Sequence, residues 1–120
     1  MYFFDSYAII ELISGNTKYE KFKDAIIITN SLNISEVFYS LLLKIEEATA
    51  RKIINQINFE LVEITPQISM ESAIFKFKNK NKKLSYADCI GYICSIQNNL
   101  LFLTGDKEFE NLPNVEFVKK

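Results

Sequence analysis

The chain has 120 residues, of which 48% are apolar and 24% charged, a balance typical of one soluble globular domain rather than a disordered chain. Its net charge of −1 provides no overall positive field toward nucleic acid or anionic membranes, so a polyanion must be held by a local basic patch or a metal ion. Histidine is absent, which excludes Ser/His and Cys/His nucleophile pairs, an imidazole general base and histidine-ligated zinc.

The first quarter of the chain predicts two strands with helical structure between them. Met1 to Phe4 is an apolar run that indicates a strand buried on both faces. Ser6 can cap a helix that continues to about Ile13, and residues 18–23 add a further helical turn or two. Asp24 is expected to be an ordinary turn residue, and Ala25 to Thr29 forms a short β-branched strand.

The middle of the chain predicts helices on either side of a third strand. Asn33 is expected to open a helix to about Lys44, and residues 47–57 either continue it or form a second helix. Phe59 to Ile64 alternates apolar and acidic residues, which indicates a strand near a sheet edge. Thr65 and Pro66 have the N-cap and N1 pattern of a helix that runs to about Phe77.

The last third of the chain returns to strands after a polar loop. Ser85 is expected to begin a helix, and Leu100 to Leu103 form a fourth strand. Residues 107–111 make a turn of helix, and Val115 to Val118 form a fifth strand. This alternation predicts a three-layer α/β domain with right-handed crossovers.

Cysteine usage and the amino-terminal segment predict an intracellular protein. Cys89 and Cys94 are about 140° apart on their predicted helix, so we expect two buried apolar fillers rather than a disulfide or a shared metal. No basic region precedes the first apolar residues, and Asp5 and Glu11 interrupt them, which argues against a signal peptide. No apolar run approaches the ~18 residues that span a bilayer. We therefore expect a cytoplasmic protein without a membrane partner.

Four acidic residues are expected to meet at one edge of the sheet. Asp5 and Asp106 follow predicted strands, and Glu36 and Asp88 stand early in predicted helices. In a parallel sheet the carboxyl ends of the strands and the starts of the following helices gather at the edge where ligands bind. Four carboxylates in one cleft repel one another, and a hard cation such as Mg²⁺ or Mn²⁺ removes this conflict.

Each of these acids also has a purely structural explanation. Asn33-Ile-Ser-Glu36 and Ser85-Tyr-Ala-Asp88 both have the spacing of a capping box, in which the acid bonds back to the start of the helix. Asp5 and Asp106 can likewise cap the helical turns that follow them. The residues alone leave both interpretations open.

The ordered segments FFDSYAII, NISEVFYSL, LSYADCIGYICS and LFLTGDKEFENL resemble the PIN-domain ribonucleases, and in length and style the VapC-like toxins of prokaryotic toxin–antitoxin pairs. The resemblance covers the chain nearly end to end and implies one PIN-like α/β/α domain over residues 1–120 with a mainly parallel sheet of about five strands. It further implies that Asp5, Glu36, Asp88 and Asp106 are the catalytic, metal-binding carboxylates. By the same resemblance, Ser6 and Thr104 are hydroxyls that orient metal-bound water, and Glu108 or Glu110 is a further acid.

The implied reaction is hydrolysis of an RNA phosphodiester with Mg²⁺ or Mn²⁺, by in-line attack that leaves a 5′-phosphate and a 3′-hydroxyl. A toxin of this kind is expected to have a cognate antitoxin and to form a homodimer. The apolar segment 38–43 either packs in the core or contacts such a partner. An RNA-processing nuclease without a toxin role, and a scaffold without activity, remain open alternatives.

A basic tract precedes the Asp88 helix and is the candidate RNA-binding surface. Its members are Lys76, Lys78, Lys80, Lys82 and Lys83. A solvated loop explains the same tract. Tyr7, Tyr86 and Tyr92 are candidates for stacking on bases, although the sequence favours ordinary half-buried tyrosines over this role.

Two other classes that place acids at strand ends fit less well. A receiver-like binding module needs an acidic pair near the end of the first strand and an acceptor aspartate after a central strand, whereas here Phe4 precedes Asp5 and Asn30 stands at the acceptor position. Phosphatases of the haloacid dehalogenase type need Asp-x-Asp, and Asp5-Ser6-Tyr7 lacks the second acid.

Overall fold

A computed structural model describes residues 1–23 and 26–119. The strands are β1 (Tyr2–Phe4), β2 (Ile27–Thr29), β3 (Phe59–Leu61), β4 (Leu101–Thr104) and β5 (Val115–Phe117). The helices are α1 (Ser6–Ile13), α2 (Ser31–Leu42), α3 (Glu47–Asn55), α4 (Pro66–Lys78) and α5 (Tyr86–Gln97), with 3₁₀ turns at Thr17–Phe22 and Lys107–Phe109. Asp24 and Ala25, for which a turn and the start of a strand are predicted, lie outside the described residues.

All five strands are parallel and follow the order β3-β2-β1-β4-β5, so β1 lies at the centre of the sheet. Its register aligns Phe4 with Leu103 of β4, and Phe3 with Ile28 of β2. The expected α/β architecture with a five-stranded parallel sheet is confirmed. The edge position predicted for the third strand is also confirmed.

The alternating side chains of the central strands build a separate core on each face of the sheet. Phe3 and Phe102 point to the core beneath α4 and α5, where they pack with Tyr92. Phe4 and Leu103 point to the opposite core, beneath α1 and α2. Because both faces are covered, β1 and β4 are apolar along their length except for Thr104 at the end of β4, and the chain forms three layers.

Several helix boundaries follow the predicted capping chemistry. The Thr65 side chain accepts the Ile68 N–H with Pro66 at the first helical position, as predicted. Ser85 and Asp88 form the predicted capping box, with reciprocal bonds of 3.1 and 2.9 Å. Residues 47–55 form a helix separate from α2 rather than its continuation.

Two predicted caps are wrong. Helix α2 begins two residues before Asn33, because Asn30 is its N-cap and accepts the Asn33 N–H over 2.9 Å. Asn33 is therefore buried within the first turn, and no capping box links it to Glu36. Helix α1 is capped by Asp5, which accepts the Ser6 N–H, and not by Ser6.

Cys89 and Cys94 are free and buried, as expected for core residues. Burial raises the pKa of the Cys89 thiol to about 11, which keeps it protonated at neutral pH. None of the helices in the described ranges has the length and apolar character that a membrane crossing requires.

Gly105 lies where β4 meets the following 3₁₀ turn, and the surrounding chain leaves no space for a side chain. A Cβ there would overlap the ring of Tyr7 and stand 2.8 Å from the Tyr19 hydroxyl and 2.9 Å from the Val118 carbonyl oxygen. Since one of these neighbours is backbone, the clash is not relieved by a rotamer change. The close packing explains why glycine precedes Asp106.

We expect Gly105→Ala to lower the free energy of unfolding by roughly 1–3 kcal/mol through overpacking, and to displace Asp106. The matched control is Gly15→Ala, because Gly15 has φ of 80° but nothing within 4 Å. That variant is expected to cost roughly 1–2 kcal/mol from backbone strain alone. Urea unfolding measures both, and equal stability of Gly105→Ala and wild type contradicts the packing argument.

Candidate active site

The ends of β1 and β4 bring Asp5 and Thr104 together in the buried centre of the site. The Asp5 N–H donates to the Leu103 carbonyl over 3.0 Å, which continues the strand pairing to the last residue. Thr104 Oγ1 donates to Asp5 Oδ2 over 2.8 Å, and the Ser6 N–H donates to Asp5 Oδ1 over 2.9 Å. Both carboxylate oxygens are therefore held, and the residue is only 2% exposed.

The Asp5 carboxylate lies in an environment that disfavours its charge. Burial raises its pKa to about 7, the hydrogen bond from Thr104 opposes this rise, and the charges of Asp88 and Glu36 add to it. Among the residues that the structure describes, no lysine or arginine lowers the pKa of Asp5. A buried carboxylate that faces two others lacks the positive partner that buried charges ordinarily have.

Glu36 and Asp88 belong to the same electrostatic group. Burial raises the pKa of Glu36, a hydrogen bond with the Ser6 side chain lowers it, and the charge of Asp88 raises it further. Burial also raises the pKa of Asp88, where bonds with Ser85 oppose the rise and the charge of Asp106 adds to it. The four acids predicted from the sequence thus act on one another through space, although they come from four separate segments.

Asp106 is joined to Asp5 through one hydroxyl group. The Asp106 N–H donates to Thr104 Oγ1 over 3.1 Å, while the same hydroxyl donates to Asp5. The Asp106 side chain accepts the Glu108 N–H over 3.0 Å and caps the 3₁₀ turn that follows. Its predicted capping role is therefore confirmed, and this role coexists with its place beside the other acids.

Ser6 and Thr104 each connect two parts of the acidic group. Thr104 is fully buried and bonds both Asp5 and the Asp106 backbone, whereas the Ser6 N–H bonds Asp5 and the Ser6 side chain lowers the pKa of Glu36. In the structure these hydroxyl residues position the carboxylates themselves. Their predicted role in orienting water stays a prediction.

The oxygen atoms of the acidic group are the type of ligand that a hard divalent cation binds, but their side chains are not arranged as a preformed metal site. Among residues 1–23 and 26–119, no three acidic or cysteine side chains are grouped closely enough to hold an ion as they stand. The site nevertheless offers only oxygen ligands, and Glu36 Oε1 is buried without a hydrogen-bond partner. Mg²⁺ and Mn²⁺ prefer such oxygen ligands, and Mg²⁺ commonly keeps several waters rather than an all-protein shell.

The candidate further acids lie at the margin of this group. Glu108 Oε1 accepts the Lys83 N–H over 2.8 Å, so the side chain is engaged with the lysine loop. Glu110 is exposed and lines, together with Tyr7 and Asp106, a cavity of about 610 Å³. Neither glutamate is among the groups that change the pKa of Asp5, Glu36 or Asp88.

A buried polar network beneath α2 was not identified as part of the site from the sequence. The Thr29 hydroxyl donates to the Phe4 carbonyl over 2.8 Å, and Asn33 Nδ2 donates to Thr29 Oγ1 over 3.2 Å. These bonds attach the start of α2 to the end of β1, one helical turn before Glu36. The available signal was the polar pair Thr29-Asn30 directly after an apolar strand.

The five lysines of the basic tract do not share one environment. Lys76, Lys80 and Lys82 line a single pocket at the end of α4. Lys78 and Lys83 are exposed outside it. The tract therefore divides into a clustered part and a solvated part.

Comparisons with known proteins agree with the fold. The PIN domain family model matches residues 2–115, whereas a search of curated proteins found no match. A toxin–antitoxin complex from Klebsiella pneumoniae has a similar structure, with a TM-score of 0.79 at 20% identity, covering 100% of this chain and 99% of that one.

Two further solved structures have the same fold. VapC20 of Mycobacterium tuberculosis, described as a sarcin-ricin loop cleaving toxin, has a TM-score of 0.79 at 12% identity and covers 98% of this chain and 99% of its own. VapBC2 of Rickettsia felis, bound to a DNA fragment from its promoter, has a TM-score of 0.72 at 15% identity, with coverages of 97% and 96%. The family match spans nearly the whole chain, and the chain belongs to the PIN-domain family.

Proposed function

We propose that this chain is a metal-dependent endoribonuclease, a single PIN nuclease domain over residues 1–120 that hydrolyses RNA phosphodiester bonds. The observation that carries the proposal is the Asp5 carboxylate, which is buried, bonded by Thr104 and faced by Glu36 and Asp88, while no lysine or arginine within residues 1–23 and 26–119 lowers its pKa. Such a group ionises at neutral pH at little cost only when a cation is bound beside it.

Asp5 and Asp106 are the proposed direct ligands, with Glu36 and Asp88 completing the site or holding its waters. Mg²⁺ or Mn²⁺ bound there would lower the pKa of a water molecule and offset the charge that develops on the phosphate. Thr104 fixes the Asp5 carboxylate and the Asp106 backbone relative to each other. Ser6 does the same for Asp5 and Glu36.

We further propose that this ribonuclease is the toxin of a toxin–antitoxin pair. It is supported by the fold shared with proteins described as toxins or toxin–antitoxin complexes, and it implies a cytoplasmic protein with a cognate antitoxin and a homodimeric state. Tyr39, Leu42 and Leu43 remain exposed on and after α2, as expected if another chain covers them. An RNA-processing nuclease is the alternative, which the same site supports equally.

The first prediction concerns the stability of the metal-free protein. The folded pKa of Asp5 is about 7 and its ordinary value is 3.8, so the folded state binds more protons than the unfolded state between about pH 4 and 7. The free energy of unfolding is therefore expected to fall as pH rises through this window. The rise in the pKa of Asp5 corresponds to a loss of at most about 4 kcal/mol in the free energy of unfolding. The raised pKa values of Glu36 and Asp88 also make the protein less stable as pH rises.

Urea unfolding in EDTA at pH 4.5, 5.5 and 7 tests this dependence, with Asp5→Asn expected to have the flatter profile and Mg²⁺ expected to restore the wild type at pH 7. The control is Glu46→Gln, because Glu46 is exposed and its side chain makes no capping bond. Parallel profiles for wild type and Asp5→Asn would contradict the electrostatic argument.

The second prediction concerns cleavage. We expect wild type to cut RNA with Mg²⁺ or Mn²⁺ and to stop in EDTA, with Asp5→Asn and Asp106→Asn slower by on the order of a hundredfold or more. Thr104→Val removes the bonds to Asp5 and Asp106 at constant volume, so it is expected to lose roughly 10–100-fold, whereas Thr104→Ser retains most activity. Single-turnover rates on a labelled RNA give these values, with Glu46→Gln as the control. Cleavage that persists both in EDTA and in Asp5→Asn removes the proposal.

The third prediction separates the two biological roles. Induced expression of the wild type in a bacterial host is expected to arrest growth, co-expression of a candidate antitoxin to restore it, and Asp5→Asn to have no effect. Colony counts after induction provide the measurement, with equal protein levels checked by immunoblot. Growth that continues despite active enzyme favours RNA processing over the toxin role.

A further inference from the structure

A pocket of about 380 Å³ lies beside the acidic site, between the end of α4 and the start of α5. The described residues that line it are Ala73, Lys76, Phe77, Lys80, Lys82 and Tyr86. Three of the six are lysines, two are aromatic, and none is acidic. The pocket therefore combines positive charge with flat apolar surface on a chain whose net charge is −1.

The two aromatic rings of this pocket are not used by the core. Phe77 is 69% exposed and Tyr86 is 65% exposed, although ring surface of this size is ordinarily buried. Tyr92, on the same helix as Tyr86, shows the contrast, because it is 2% exposed and donates its hydroxyl to the Pro113 carbonyl. Of these candidate stacking tyrosines, Tyr92 is therefore committed to the core and Tyr86 is free to stack.

Each exposed ring is paired with a lysine. Lys76 Nζ lies 5.2 Å from the centroid of the Tyr86 ring, and Lys80 Nζ lies 4.6 Å from the centroid of the Phe77 ring. A flat ring beside an ammonium group provides one contact for a base and one for a phosphate, the two parts of a nucleotide.

The pocket lysines are positioned without being neutralised. Lys76 Nζ donates to the Leu84 carbonyl, and Lys82 Nζ donates to the Glu108 carbonyl over 3.4 Å. In the part of the chain that is described, the ion pairs are Lys23 with Glu20 and Arg51 with Glu47, so no pocket lysine is paired with a carboxylate. Backbone carbonyls hold these side chains in place and leave their charge available to a phosphate.

The pocket is close enough to the acidic group to act on the same substrate. Tyr86 and Asp88 share the first turn of α5. Burial raises the pKa of Asp88, and the charge of Lys76 is one of the interactions that oppose the rise. A nucleotide held by Tyr86 and Lys76 would thus lie next to the carboxylates.

We propose that this pocket binds an unpaired nucleotide of the RNA substrate, with the base stacked on Phe77 or Tyr86 and the phosphate on Lys76, Lys80 or Lys82. The inference rests on the proposed ribonuclease function and adds to it the place on this chain where one nucleotide of the substrate is held. In an A-form duplex each base is stacked between its neighbours and offers no free face to a protein ring. Lysines without rings would bind paired and unpaired RNA alike.

The test measures binding in EDTA, where cleavage does not interfere. The probes are a 12-nucleotide unpaired RNA that contains 2-aminopurine and the same strand in a duplex, followed by fluorescence anisotropy and by quenching of the 2-aminopurine. Phe77→Leu with Tyr86→Leu is expected to weaken binding of the unpaired RNA by roughly tenfold or more and to abolish quenching, with little change for the duplex. Phe77→Trp with Tyr86→Phe is expected to retain both signals, since stacking surface is preserved.

Two matched controls come from the same helix. Met70→Leu alters an exposed apolar side chain of α4 outside the pocket and is expected to bind as wild type. Lys80→Ala is expected to reduce the slope of log Kd against log salt by about 0.7, the value for one contact to single-stranded nucleic acid, whereas Lys78→Ala, outside the pocket, changes it less.

The outcomes distinguish this proposal from the function on which it rests. Leucine variants that bind unpaired RNA as tightly as wild type overturn the pocket, and so does an equal loss on duplex RNA. If the leucine substitutions change the sedimentation coefficient but not RNA binding, the two rings form a contact between copies of the chain, and the proposed nucleotide pocket is again overturned. If the wild type quenches the unpaired probe but cleaves no RNA with Mg²⁺ or Mn²⁺, the proposed nuclease activity is refuted, whereas the proposed nucleotide pocket is supported.

Discussion

The hydrogen bond from Thr104 to Asp5 joins the ends of the two central strands, and the geometry of the acidic site depends on it. Both residues are buried, and the bond of 2.8 Å holds a carboxylate at a position where burial and the charges of neighbouring acids disfavour its ionised form. The same hydroxyl accepts the Asp106 N–H, so one side chain fixes the relation of both strand-end acids. The parallel register that pairs Phe4 with Leu103 makes this contact possible.

Burial of this carboxylate opposes folding unless something compensates it. Hydrogen bonds from Thr104 and Ser6 offset part of the cost, but the negative charges of Glu36 and Asp88 increase it. A group that only improved stability would be replaced at such a position by an apolar or amide side chain. Glu36 Oε1 is buried without a hydrogen-bond partner among the described residues, which further lowers the free energy of unfolding. Binding of the proposed cation would offset this cost, because it would favour the ionised carboxylates of the folded state.

The sequence was sufficient for the fold because the central strands are buried on both faces. Runs such as Met1 to Phe4 and Leu100 to Leu103 have no polar position, and a capping signal such as Thr65-Pro66 defines the helix that it begins. The start of α2 was not predictable in the same way, since Asn30 and Asn33 are both good caps and both are buried, so that only the folded backbone shows which of them begins the helix. The bond from Thr29 to the Phe4 carbonyl depends on strands that are far apart in the chain, and no local pattern indicates it.

The acidic candidates were identifiable because strand ends and helix starts gather at one edge of a parallel sheet. The basic tract was identifiable as a run of lysines, but the sequence did not show which of these lysines line a pocket and which are exposed to solvent. Only the fold shows that Lys80 faces a pocket and that Lys78, two residues earlier, lies outside it. The exposure of Phe77 and Tyr86 was equally hidden, because a sequence does not distinguish an aromatic residue of the core from one on a surface.

The acidic and basic regions are attached to each other through the turn that Asp106 caps. Glu108, in that turn, accepts the Lys83 N–H with its side chain and a bond from Lys82 with its carbonyl. The loop that carries the lysines is thereby anchored to the segment that carries Asp106. A chain with a net charge of −1 thus carries a cluster of lysines and a cluster of acids side by side, because its charges are separated locally rather than mixed over the surface. This separation is what the proposed function requires, since RNA would contact the lysines and the proposed cation would lie among the acids.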